Sequence, residues 1–106
     1  MTKVLVIGTG YLGDYLIHLL RENDCEVRAA SKNGGDNCCA ADLGCRASIA
    51  NLAGDLEREN FSPDFIVHCA SSSRGGPDAY RLVFVEGTKN LISEFPGSHK
   101  ILTSST

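Results

Sequence analysis

No apolar run in the sequence approaches the ~20 residues that cross a bilayer. The first apolar run, Val4 to Ile7, has the length of a strand. Met1-Thr2-Lys3 leads straight into it, without the longer apolar segment and small-residue cleavage site of a secretory leader. These two lacks predict no membrane partner. Positive charge is not in excess. Lys and Arg number 10 against 13 Asp and Glu, for a formal charge of −3. That balance argues against nucleic acid bound through a basic field. Proline is scarce at three residues, whereas glycine numbers 11, which points to tight turns and close backbone approaches. The five cysteines (Cys25, Cys38, Cys39, Cys45, Cys69) are odd in count and contain no C-x-x-C pair. A disulfide framework and a zinc site are both disfavoured. The expectation is reduced, small apolar side chains in a cytoplasmic protein, with Cys38 and Cys39 on opposite faces of a strand. His18, His68 and His99 are too scattered for a metal cluster, so no metal is predicted.

What remains is a chain of 106 residues, 42% hydrophobic and 22% charged, which fits one globular domain. Its apolar pattern alternates between two periods. Thr2 to Ile7 reads as a strand, rich in β-branched residues and continuously apolar from Val4 on, as in a strand covered on both faces. Leu12, Tyr15, Leu16, Leu19 and Leu20 then form one stripe of a predicted helix. Strands are expected at 26–31 and at 38–43, the latter with Asp42 near its end, separated by the turn-rich Asn33 to Asn37. A helix over 48–59 carries Ile49, Leu52, Ala53 and Leu56. A strand over 65–70 comes next, then a Ser- and Gly-rich loop. A long helix over 78–95 carries Leu82, Val83, Val85, Leu91, Ile92 and Phe95, and a final strand covers 100–104. Strands alternating with helices predict βαβ units, hence an α/β fold with a doubly wound parallel sheet in three αβα layers.

The segment Gly8-Thr9-Gly10-Tyr11-Leu12-Gly13 sits between the first strand and the first helix. A lone G-x-G-x-x-G is weak evidence, but this one has the required strand before it and helix after it. Gly8 would permit the tight turn, Gly10 the close approach of a pyrophosphate, and Gly13 the packing of helix on strand. The helix N-terminus would then offer free N–H groups and a positive dipole end. A P-loop is excluded, because Lys and Ser/Thr do not follow Gly13 at the required spacing. The other reading is a Gly-rich turn with no ligand. At the end of the second strand, where an NAD-preferring fold carries Asp or Glu, stand Ser31 and Lys32. The missing carboxylate and the available cation lean toward NADP over NAD. Arg28 is a second cation close in sequence.

Read together, these motifs resemble the N-terminal part of the extended short-chain dehydrogenase/reductase superfamily, of the NAD(P)-dependent epimerase/dehydratase type. The residues that carry the resemblance are Gly8 to Gly13, Ala41-Asp42-Leu43, Asp64 to Ala70, Gly87-Thr88-Lys89-Asn90-Leu91 and Ile101 to Thr106. It implies a Rossmann fold with strand order 3-2-1-4-5. It further implies that Asp42, with Leu43, borders the adenine, and that the backbone at Ala70 and Ser71 lines the ribose and nicotinamide side. Gly87 and Thr88 would allow close helix packing, and Ser105 would match the Ser/Thr that hydrogen-bonds the reacting substrate oxygen. Two departures stand out. Phe84 occupies the position of a common family Asn, and no Tyr in the chain opens the family's Tyr-x-x-x-Lys acid/base pair. The chain is therefore expected to be the cofactor-binding portion of a longer enzyme, cut after the fifth strand and inactive alone. Its expected partners are the dinucleotide and, in the full-length protein, a small sugar-like or other hydroxyl/keto substrate. Apolar surface left by the last strand would favour association, including a homo-oligomer. The alternative from a different class is a non-catalytic NAD(P)-binding sensor or interaction module. His68, within a strand, is expected to be a packed core residue.

Overall fold

A computed structural model of the chain describes residues 2–8, 11–31, 34, 38–69 and 85–102, the side chains of residues 11, 12 and 102 excepted. Five strands form one sheet in the order β3-β2-β1-β4-β5. They are β1 (Lys3–Ile7), β2 (Glu26–Ser31), β3 (Cys38–Ala40), β4 (Phe65–His68) and β5 (His99–Leu102). Every neighbouring pair is parallel. The helices are α1 (Tyr11–Glu22), α2 (Arg46–Arg58) and α3 (Gly87–Glu94). The expected doubly wound α/β architecture and its strand order are both observed.

Both faces of the sheet are covered, which accounts for the unbroken apolar run of β1. Val4 and Val6 pack with Ile17, Val27, Ala29 and Val67 on the α1 side. Leu5 and Ile7 pack with Ile49, Leu52, Leu56, Phe61, Ile66 and Leu91 on the side of α2 and α3. Each fully buried Leu or Ile contributes about 1.5–3 kcal/mol, so this second layer dominates the stability. Cys39 joins it and Cys38 joins the first, as strand alternation predicts.

Helix α1 is rotated relative to its predicted stripe. Gly13, Leu16, Ile17 and Leu20 face inward, whereas Tyr15 is 69% exposed and Leu19 42%. Positions 13, 16, 17 and 20 have the same i, i+3, i+4, i+7 spacing. The phase is set by Gly13, whose contact with the end of β1 admits no side chain. Val85 and Ile92 on the α3 segment are likewise exposed, and Gly87, Leu91 and Phe95 are the buried residues.

Helices α1 and α2 end in the same way. Asp24 and Asn60 adopt the left-handed region at φ 61° and 58°. The next residue in each case, Cys25 or Phe61, donates its N–H back to Leu20 or Leu56 at 3.1 and 2.9 Å. This closure satisfies a terminal carbonyl and seats an apolar residue against the helix it leaves. At the start of the sheet, Lys3 N–H donates to Asp64 Oδ2 at 3.0 Å, and Lys3 Nζ donates to the Asn60 carbonyl at 3.0 Å. On β5, Lys100 Nζ donates to the Phe95 carbonyl at the end of α3, and burial pushes this ammonium below the ordinary lysine pKa.

Candidate functional site

The parallel register aligns the strand ends. Ile7 pairs with Ala30 on one side and His68 on the other, and His68 pairs with Leu102. Gly8, Ser31 and Cys69 therefore leave the sheet along one edge, at the carboxyl ends of the strands. Strand order reverses between β1 and β4, and in open α/β sheets ligands bind in the crevice at that reversal.

The turn from β1 into α1 is built on Gly8. Its φ is 96°, in the region that favours glycine, and its N–H donates to the Ala30 carbonyl at 2.8 Å. Gly13 comes back over it. A Cβ at Gly13 would stand 2.1 Å from the Gly8 carbonyl oxygen and 4.0 Å from Cys69 Cβ. Cys69 in turn donates its N–H to the Ile7 carbonyl at 2.7 Å, at the exit of β4. The first turn of α1 is thus pressed against the ends of both β1 and β4, and only glycine fits at the contact. Its N-terminal N–H groups and positive dipole end lie at the strand edge. Thr9 and Gly10 lie outside the described residues. Tyr11 and Leu12 open α1.

On the far side of β1, Ser31 closes β2. Its hydroxyl donates to the Gly34 carbonyl at 3.2 Å and accepts from the Cys38 thiol at 3.4 Å. The hydroxyl is thus tied into the β2–β3 connection. Lys32 lies outside the described residues. Arg28 does not join this edge. It pairs in register with Leu5 in mid-sheet, is held by Glu26 and Glu59, and lies 4.9 Å over the Phe61 ring.

Asp42 follows β3 rather than ending it, because the strand stops at Ala40. The predicted strand over 38–43 is thus shortened, and the cause is a turn centred on Asp42 itself. Gly44 N–H donates to Asp42 Oδ1 at 3.0 Å, and Cys45 N–H to the Asp42 carbonyl at 3.0 Å. Such a side-chain-to-backbone bond two residues on competes with strand pairing. The Asp42 N–H donates to Ser48 Oγ at 2.8 Å. Leu43, beside it, is core, with its side chain against Gly87, where a Cβ would come within 2.9 Å of Leu43 Cβ. Asn90 Nδ2 donates to the Leu43 carbonyl at 2.7 Å. Ser48 and Asn90 had no role assigned from the sequence. Their signal was present in part: Asn90 lies three residues past a glycine expected to pack closely.

Ala70, Ser71, Phe84 and Ser105 lie outside the described residues. His68 is fully buried, as expected of a core histidine. Burial, the largest cause, pushes the Cys39 thiol up, with Glu59 adding to the effect. Among the described residues no group of His, Cys, Asp and Glu could hold a metal ion, and no helix is long and apolar enough to cross a membrane.

A parallel sheet in the order 3-2-1-4-5, with a glycine turn feeding a helix at its reversal point, defines a Rossmann-type domain. The family model of the NAD dependent epimerase/dehydratase family matches residues 4–102, and the chain belongs to that family. Solved structures agree on the fold. The 3-alpha-hydroxysteroid dehydrogenase from Pseudomonas sp. B-0831, complexed with NADH, is 18% identical, with a TM-score of 0.79 over 98% of this chain and 48% of that one. A short-chain dehydrogenase from Leptospira borgpetersenii with bound NAD+ is 20% identical, with a TM-score of 0.72 over 89% of this chain and 44% of that one. The UDP-glucose 4-epimerase of Thermus thermophilus, in complex with NAD, is 20% identical, with a TM-score of 0.66 over 88% of this chain and 33% of that one. The chain thus spans about half or less of the length of these proteins. Comparison with curated protein sequences returns no match.

Proposed function

We propose that the chain is the dinucleotide-binding part of an NAD(P)-dependent epimerase, dehydratase or reductase acting on a sugar-like or other small hydroxyl/keto substrate. The observation that carries this reading is the Gly8–Gly13 contact. It brings a helix N-terminus, closely packed through two positions that carry no side chain, to the switch point of the sheet. A pyrophosphate needs such a surface, with N–H donors, a favourable dipole and no Cβ in the way. In this reading the backbone from Gly8 to Gly13 holds the phosphates. Asp42 accepts from the exocyclic amine of adenine, next to the backbone of Leu43. Ser31 and Lys32 meet the adenosine ribose, with Lys32 drawing a 2′-phosphate, so NADP is favoured over NAD. Ala70 and Ser71 line the nicotinamide side.

When bound, the nicotinamide supplies the hydride acceptor or donor. The part of this chain in the chemistry is Ser105, whose hydroxyl hydrogen-bonds and orients the substrate oxygen as its proton moves. The acid/base Tyr-x-x-x-Lys pair is not among these 106 residues. The complete enzyme would supply it from further chain.

Titration with NADPH and NADH, followed by nicotinamide fluorescence, tests the proposal. Binding of both, with NADPH the tighter, is expected. No binding of either at millimolar concentration refutes the cofactor site. Tighter NADH refutes the roles given to Ser31 and Lys32. A coding sequence that continues past Thr106 with a Tyr-x-x-x-Lys pair about 25 residues on, the family's spacing, would favour the enzyme over a non-catalytic binding module.

A further inference from the structure

We infer that Asn90 is a positioning residue for adenine recognition, setting from α3 where the Asp42 carboxylate stands. The inference rests on the role proposed for Asp42 above. Two kinds of contact hold the turn after β3. The first kind is local: Gly44 N–H to Asp42 Oδ1, Cys45 N–H to the Asp42 carbonyl, and Asp42 N–H to Ser48 Oγ. All three lie within seven residues of chain, so they fix the shape of the turn but not its location on the sheet. The second kind comes from 47 residues away, where Asn90 Nδ2 donates to the Leu43 carbonyl at 2.7 Å.

Gly87 lies three positions before Asn90, on the same face of α3. A Cβ there would approach Leu43 Cβ to 2.9 Å, so the missing side chain lets α3 come down onto Leu43. Leu43 is consequently gripped twice. Its side chain is pressed on Gly87, and its carbonyl is held by Asn90. Asp42 is the adjoining residue, and a displacement of the Leu43 peptide moves its carboxylate directly. Recognition by a single hydrogen bond tolerates little displacement, because the bond weakens steeply with angle and distance. Helix α3, which comes after β4 in the chain, therefore sets the geometry of the adenine side.

The probe is a pair of ligands: NADH and its hypoxanthine analogue, which lacks the exocyclic amine. A hydrogen bond to a charged acceptor gives the wild-type protein a preference for NADH of about tenfold or more. Asp42→Ala should bring the two affinities within about twofold, as expected when that bond is lost. Asn90→Leu, close in size but without a donor, should reduce the preference at least threefold and leave hypoxanthine-analogue binding nearly unchanged, by the same reasoning. Asn90→Ser, whose shorter side chain cannot reach the Leu43 carbonyl, should do the same and serves if the Leu variant fails to fold. If Asp42→Ala leaves the preference intact, the adenine role of Asp42 is wrong and the inference falls with it. If Asp42→Ala abolishes the preference but neither Asn90 variant alters it, the inference alone is overturned. An equal loss of both ligands in the Asn90 variants marks a merely structural role and also overturns it.

Discussion

Alanine in place of glycine should have opposite effects in two helices of this protein. In α2, Gly54 has only the Arg58 guanidinium within reach of a Cβ, at 3.6 Å, an ordinary contact with the end of a flexible side chain. Gly54→Ala gains helix propensity and lowers the entropy of the unfolded chain, which stabilises by about 0.5–1 kcal/mol. In α1, the same change at Gly13 drives a Cβ to 2.1 Å from the Gly8 carbonyl oxygen, more than 1 Å inside ordinary contact. The obstacle is backbone, and it belongs to Gly8, which is held in the turn at φ 96° by the bond from its N–H to the Ala30 carbonyl. The helix must lift or the turn must open. Overpacking of this kind costs about 1–3 kcal/mol, and the propensity gain offsets less than half of that at the upper end. In a domain of this size, 1 kcal/mol moves the midpoint of thermal unfolding by about 4–8 °C. Gly54→Ala should therefore melt several degrees above the parent and Gly13→Ala several degrees below it, with matching shifts in urea midpoints. In the same samples, NADPH binding should persist in the first variant and weaken at least tenfold in the second, since a lift of about 1 Å misaims the helix N–H groups. A Gly13→Ala protein as stable as the parent, with unchanged cofactor affinity, would refute the packing account of the turn.

Three further outcomes are expected from the geometry. Cys45 occupies the N-cap of α2 without capping it, so Cys45→Asp should raise stability by about 1 kcal/mol in urea titration. Thiol labelling with mass spectrometric readout should find Cys45, which is exposed, reacting first, and Cys39, with its raised pKa, among the last. Lys100 has its pKa lowered by burial, so between the folded and unfolded values the unfolded chain binds more protons and its contribution to stability rises with pH. Lys100→Met should remove that alkaline rise in a comparison of unfolding midpoints across pH.

The sheet was readable from the sequence because β1 is apolar on both faces and the glycine turn marks where strand gives way to helix. The phase of α1 was not. Leu12, Tyr15, Leu16, Leu19 and Leu20 form one stripe and Gly13, Leu16, Ile17 and Leu20 an overlapping one, and hydrophobicity alone favours the first, which has more large side chains. The decisive residue is Gly13, which carries no hydrophobic signal and faces inward because nothing larger fits. The end of β3 was missed for a similar reason. Asp42 serves its own turn, and a strand reading by apolar content has no means of detecting that bond. Asp42 and Gly87 were legible as separate motifs. Their link through Leu43 and Asn90 is a contact across 47 residues that no local pattern encodes.

β1 runs along the whole of β2, but β3 on its other side pairs only with Ala29 to Ser31, so among the described residues the outer side of the first half of β2 has no strand against it. That half carries Glu26 and Arg28, with Glu59 drawn in at 3.3 Å from Arg28 Nε. An incoming strand from another chain would have to break these ion pairs and strip water from three charges before gaining any backbone bonds. Charge at this position is a common guard against edge-to-edge aggregation. Neutral replacements at Glu26 and Arg28 would leave the fold intact and open its margin to self-association, a failure visible in shelf life and expression yield before it appeared in any binding curve.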